Sequence, residues 1–346
     1  MRVIAGLLVG SLLVAACADD STTSDTAPVV DETTTAPTTT APPTTAAPTT
    51  TAAPATPLTP AQSVVELDGE IVDDTRGRSI PYRAYAPVGV EGAVPVVLVS
   101  HGGFGSDTGY TRGTHLGGTF AADGFLAIHV GHRRSAAGDR QVFDRPADVT
   151  ALLDALGAGE LELPPAFTGT PDLERVGHVG HSYGAYTSHA VGGAVFDRDL
   201  TDPRIDAIVP ISPAGHDQFG AFDDGAGNTT WSTVTIPAFN LIGGEEMDIN
   251  AVGTIERPGW RRVPFDNYPD EGDKYLVVID GQTHSDMWRT GASEVAGFIA
   301  AEISDFLAVY VAGDTSVDAC DIGIGDLGYT TLERSPAADA DCRGAE

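Results

Sequence analysis

The chain carries 49 Asp and Glu against 19 Lys and Arg in 346 residues, a formal charge of −30 at pH 7. So strong an acidic excess excludes charge-driven binding to nucleic acid or to an anionic membrane surface, and reads as a heavily solvated exterior. With three cysteines and no CxxC, HExxH, Walker or dinucleotide pattern, no metal and no cofactor is expected.

In chain order, the first expected element is an export signal over residues 1–16. Arg2 gives it a positive start, and an apolar run follows that is too short for a stable bilayer span of roughly 20 residues. The stretch Val14-Ala15-Ala16-Cys17 resembles a bacterial lipobox. That resemblance implies cleavage before Cys17 and a diacylglycerol on its thiol. The expected location is therefore the cell envelope, outside the cytoplasm, with the N-terminal lipid as the only membrane contact. Residues 17–60 are dominated by Thr, Ala and Pro, with near-repeats such as Thr33-Thr34-Thr35-Ala36-Pro37. They hold too little apolar surface to offset ordering entropy, and read as an extended linker.

Residues 61–346 are long enough for one large α/β domain. Alternating residues over 71–86 predict a hairpin of edge strands. The β-branched run 94–100 predicts a strand covered on both faces. A short strand over 125–130 and a helix over 145–156 follow. A strand over 175–180 leads into a helix over 183–195. Apolar strands are predicted over 205–211, 236–242 and 275–279, with an amphipathic closing helix over 294–310. Beyond about residue 312 the chain reads as a polar tail. Cys320 and Cys342 fall there and are expected to pair in an oxidising compartment. Strands alternating with helices imply a mostly parallel sheet covered on both faces, with ligands at the carboxyl ends of its strands.

The chemistry centres on Gly180-His181-Ser182-Tyr183-Gly184, a G-x-S-x-G pentapeptide between a predicted strand and a small-residue helix. A serine there sits on a tight strand-to-helix turn, and the helix N-terminus directs N–H groups at the place where an oxyanion forms. A serine hydroxyl needs a base. Of the nine histidines, only His284 follows a late strand, as the order Ser, acid, His requires. The acid is sought after the strand 236–242, in Gly243-Gly244-Glu245-Glu246-Met247-Asp248. Register favours Glu246, residue type favours Asp248, and register is given the greater weight. Oxyanion donors are expected from the N–H of Tyr183 and from Gly103 or Phe104.

These pieces resemble bacterial α/β-hydrolases of the platelet-activating-factor acetylhydrolase-like and dienelactone-hydrolase-like kind. The likeness rests on Asp74-Thr75-Arg76-Gly77-Arg78-Ser79-Ile80-Pro81, Ser100-His101-Gly102-Gly103, Arg145-Pro146-Ala147-Asp148-Val149, the serine pentapeptide and Asp202-Pro203-Arg204-Ile205. It implies an α/β-hydrolase fold and ester hydrolysis through an acyl-enzyme. Animal members take their acid from the preceding strand, a position near Ser212 here, and dienelactone hydrolases use a cysteine nucleophile that this chain lacks. The short interval between Ser212 and the strand 236–242 implies a small cap or none. The expectation is a monomeric serine esterase acting on an ester substrate. The alternatives are a polyester-, cutin- or lipase-type hydrolase, or a catalytically silent envelope protein that keeps the fold for binding.

Overall fold

The computed structural model describes residues 57–103, 105–134, 141–195, 198–216, 229–249, 256–289, 293–325 and 327–343. Cys17, the expected signal, nearly all of the expected linker and Phe104 lie outside them.

Nine strands form one sheet in the order β1-β2-β4-β3-β5-β6-β7-β8-β9. β1 (Ser63–Asp73) and β2 (Arg78–Val88) pair as an antiparallel hairpin, and β2 lies antiparallel to β4 (Leu126–Val130). From β4 the sheet runs parallel through β3 (Ala93–Ser100), β5 (Thr170–His181), β6 (Ile205–Ile211), β7 (Ala238–Gly243) and β8 (Lys274–Ile279). β9 (Thr330–Arg334) closes the far edge antiparallel to β8. The architecture is α/β: a mostly parallel mixed sheet with helices around it.

Alternation along the parallel strands feeds two cores. Val96, Leu98 and Val176 point to one face, where Val149, Leu152 and Leu153 of α2 (Gln141–Ala158) and Tyr186 and Ala190 of α3 (Tyr183–Val191) cover them. Val97, Val99 and Val179 point to the other, against Leu116 and Phe120 of α1 (Thr114–Ala122) and Ile299, Ile303 and Phe306 of α5 (Glu294–Leu307). A strand buried on both faces has no polar side, which is why these runs are continuously apolar. The described stretch long and apolar enough to cross a membrane, Glu294–Ala312, is mostly buried against the sheet. A short α4 (Val263–Asp266) precedes β8.

The residues after 312 are not a tail. They supply β9 and the terminal α6 (Pro336–Arg343), and a Cys320–Cys342 disulfide ties α6 to the turn before β9. β9 is short and polar because an edge strand needs no continuous apolar face. β1 likewise begins before the alternation at 71–86, its burial alternating along its whole length.

Candidate active site

All the parallel strands end on one side of the sheet, and the candidate residues follow those ends. β5 runs into Ser182, which has φ 57° and ψ −113° and opens directly into α3. Its N–H donates to the carbonyl of Ile211 at the end of β6 (2.9 Å), which anchors the turn. A non-glycine residue in such a conformation stores about 1–3 kcal/mol, and persists only where its surroundings over-determine it. The flanking glycines make the turn possible. A Cβ on Gly180 would lie 2.0 Å from the carbonyl oxygen of Gly184, and one on Gly184 would lie 2.0 Å from that of Ser100.

His284 lies in the loop after β8, and its Nε2 stands 2.9 Å from Ser182 Oγ. Its Nδ1 is 2.5 Å from Glu246 Oε2. An ionised carboxylate only accepts, so Nδ1 carries the proton and Nε2 is left to accept from the serine hydroxyl. Glu246 reaches this point because the chain leaving β7 tightens into the 3-10 turn Gly244–Glu246, which brings the third residue back over the strand end. The same carboxylate accepts from Ser212 Oγ (2.5 Å) and from the N–H of Gly243 (3.2 Å), and Arg261 Nε lies 2.8 Å from Oε2. Burial pushes the carboxyl's pKa up. The His284 hydrogen bond, the Arg261 charge and the Ser212 hydroxyl outweigh that and hold it below its ordinary value.

Of the two carboxylates left open by the sequence, Glu246 therefore meets the imidazole. Asp248 is exposed, and its Oδ1 accepts from the N–H of Gly259 (2.6 Å). Asp248 thus shapes the turn that leads into Trp260–Arg262, the segment that carries Arg261.

Several neighbours of the site escape sequence reasoning. Ser212 offers only a hydroxyl in place of a carboxylate, and donates it to Glu246. With Ser182 it shares the distinction, among the described residues, of a positive φ outside glycine. Arg261 shares no local pattern with Glu246. His181, inside the pentapeptide, is buried and holds a pKa pushed down to about 3, chiefly by that burial. It is neutral, and since a carbonyl only accepts, its Nε2–H donates to the backbone oxygen of His284 (3.0 Å). Its ring stacks on Trp288 at 5.1 Å between centroids. The loop that carries His284 is thereby tied to the turn that carries Ser182.

Tyr183 opens α3 and Gly103 lies in the loop after β3, at φ 82°. Arg145, fully buried, spans the two. It donates to the carbonyls of His101 (2.8 Å) and Gly103 (2.9 Å), and its guanidinium lies 4.7 Å from the centre of the Tyr183 ring.

A serine, a histidine and a carboxylate, here aspartate in place of glutamate, meet in the same bonding order once more. Ser100 Oγ is 2.9 Å from His132 Nε2, and His132 Nδ1 is 3.1 Å from Asp148 Oδ2. All three are 0 % exposed. Burial holds the His132 pKa well below its ordinary value and raises that of Asp148. No substrate reaches this serine, so this arrangement is a buried polar joint between β3, the end of β4 and α2. Arg76 and Arg78 add further partners to Asp148 (each 2.8 Å). A cavity of about 410 Å³ beside them is lined by Arg76, Arg78, Arg133, Arg134 and Asp144, away from Ser182. Three of those arginines are already engaged with carboxylates.

Among the described residues no group of three or more His, Cys, Asp or Glu side chains could hold a metal ion. The chain matches no family model, and no curated protein matches it.

Proposed function

We propose that this chain is a serine hydrolase of the α/β-hydrolase type that cleaves carboxylic esters through an acyl-enzyme, outside the cytoplasm. The observation that carries the reading is the unbroken chain Ser182 Oγ, His284 Nε2, His284 Nδ1, Glu246 Oε2, with steps of 2.9 Å and 2.5 Å across the ring. Its nucleophile lies on a strained turn between a strand and a helix. The order serine, acid, histidine along the chain agrees with that of α/β-hydrolases.

In the proposed reaction His284 Nε2 takes the serine proton as Oγ attacks the ester carbonyl. Glu246 keeps the imidazole in the accepting tautomer and stabilises the imidazolium. The oxyanion forms at the N-terminus of α3, toward the N–H of Tyr183, with the second donor from the loop at Gly103. His284 then returns the proton to the departing alcohol, and water repeats the sequence on the acyl-enzyme. The placement outside the cytoplasm rests on the lipobox resemblance at Cys17, and the Cys320–Cys342 disulfide fits an oxidising compartment.

The test is covalent labelling of the purified protein with a fluorophosphonate, followed by peptide mapping and a panel of aryl esters of rising acyl length. The label is expected on Ser182. Ser182→Ala should fold normally, refuse the label and lose turnover by several orders of magnitude. Near-normal turnover by Ser182→Ala would remove the proposal.

A further inference from the structure

We propose that Arg261 is a positioning residue of this site: its guanidinium fixes the Glu246 carboxylate and offsets its buried charge, and so holds His284 where its Nε2 can accept the serine proton. The inference rests on the serine-hydrolase reading and deepens it.

The geometry is specific. The Arg261 side chain is 2 % exposed, and its Nε lies 2.8 Å from Oε2 of Glu246, the oxygen that also receives His284 Nδ1–H. Nε also donates to the backbone carbonyl of Glu246 (3.1 Å). Nη1 donates to the carbonyls of Ser212 (2.8 Å) and Pro213 (2.9 Å), beyond the end of β6. The guanidinium is thus bolted to the backbone beyond two adjacent strands and cannot swing away from the acid. Asp248, through the N–H of Gly259, fixes the start of the turn that delivers it.

The groups facing this point are few. Glu246 meets Arg261, His284 and the Ser212 hydroxyl. His284 meets Glu246, the Ser182 hydroxyl and the His181 ring, 4.7 Å away and kept neutral by burial. Arg261 is the permanent cation of the set. A carboxylate held by a fixed cation keeps one orientation, so the acceptor of His284 Nδ1–H stays in place while the ring works on the serine hydroxyl. A purely structural arginine would neutralise a buried charge and change stability, and would leave the rate of attack by Ser182 alone.

The experiment uses the full chain at matched folded concentration and measures the rate of fluorophosphonate attachment to Ser182, with kcat and KM on a short aryl ester, for the unaltered protein, Arg261→Lys and Arg261→Gln. Arg261→Gln should slow attachment and lower kcat by about a hundredfold, the scale of a 1 Å misplacement, with KM within a few-fold. Arg261→Lys retains the charge and should recover a large part of the rate. A folded Arg261→Gln with an unchanged rate and kcat overturns the inference while leaving the hydrolase reading intact. Failure of the unaltered protein to label at Ser182 overturns both. If Arg261→Gln does not fold, the double variant Glu246→Gln/Arg261→Gln leaves no unpaired buried charge and replaces it. It should label no slower than Glu246→Gln alone, because the arginine acts through the carboxylate. A double variant many-fold slower than Glu246→Gln overturns the inference.

Discussion

Replacing Glu246 by Gln tests the site at its most interconnected atom. The two carboxylate oxygens accept on opposite sides: His284 and Arg261 on Oε2, Ser212 and the Gly243 N–H on Oε1. An amide satisfies only one side. With its oxygen toward His284, its NH2 faces the backbone donor of Gly243. With its NH2 toward His284, it faces the Arg261 guanidinium and forces the proton onto Nε2, which then cannot accept from serine. In either orientation the charge that stabilises the imidazolium is gone. Turnover should fall by roughly four orders of magnitude, as for the equivalent change in a related triad. That is about 5 kcal/mol of barrier at 1.36 kcal/mol per tenfold. Stability should fall as well, by about 3–5 kcal/mol, because Arg261 is left buried without its counter-ion. Aryl-ester turnover at matched folded concentration reads the first effect, and a urea melt reads the second. Asp248→Asn is the control. It weakens a charge-assisted bond to the Gly259 N–H, costing about 1–2 kcal/mol, and should leave turnover within a few-fold. The reasoning is refuted if Glu246→Gln keeps turnover within tenfold of the unaltered protein, or if Asp248→Asn is the more damaging change.

Three further outcomes are expected. Gly184→Ala places a Cβ 2.0 Å from the Ser100 carbonyl oxygen, where backbone must move, so the urea midpoint should drop by the equivalent of about 1–3 kcal/mol; an unchanged melt would refute the close approach. His129, His178, His181 and His189 have pKa values lowered to about 3, chiefly by burial, against an ordinary unfolded value of about 6.5. The unfolded chain then binds more protons than the native one between those values, so stability is full above the unfolded value and is lost as pH falls. Near the middle of the window the slope approaches roughly 5 kcal/mol per pH unit for four such groups, and urea melts at stepped pH that stay flat there would refute the burial argument. Cys17→Ser should release the protein from the membrane fraction or stall its processing, which fractionation and N-terminal mapping check; finding the unaltered protein soluble and cut elsewhere would remove the anchor.

Legibility in the sequence follows the range of the interaction. The runs that form β3 and β6 are readable because strands covered on both faces must be apolar throughout. β9 is not, since a polar strand at an edge resembles a tail until its partner is known. Ser182 announces itself by a local pattern and His284 by chain order. The acid stays divided between Glu246 and Asp248 because the choice depends on how tightly the chain turns after β7, and a 3-10 turn of three residues is not written in residue type. Arg261 and Ser212 are invisible for a different reason: each meets Glu246 only because the sheet sets the end of β6 beside that of β7. Ser100, His132 and Asp148 give the converse lesson. They bond to one another as Ser182, His284 and Glu246 do, but run serine, histidine, acid along the chain and are fully buried, which makes them a joint in the core.

β9 turns β8, the strand that leads to His284, from an edge into an interior strand. A chain cut at residue 312, where the sequence suggests a dispensable end, would lose that cover. The unpaired N–H and C=O groups of Lys274–Ile279, flanked by Tyr275, Leu276 and Val277, would then be open to strand pairing with other molecules. Such a fragment could keep Ser182, His284 and Glu246 and still be lost to association between chains. The Cys320–Cys342 cross-link opposes that outcome by keeping the covering segment folded in on itself, so reducing agents should bring the full-length protein closer to the behaviour of the fragment.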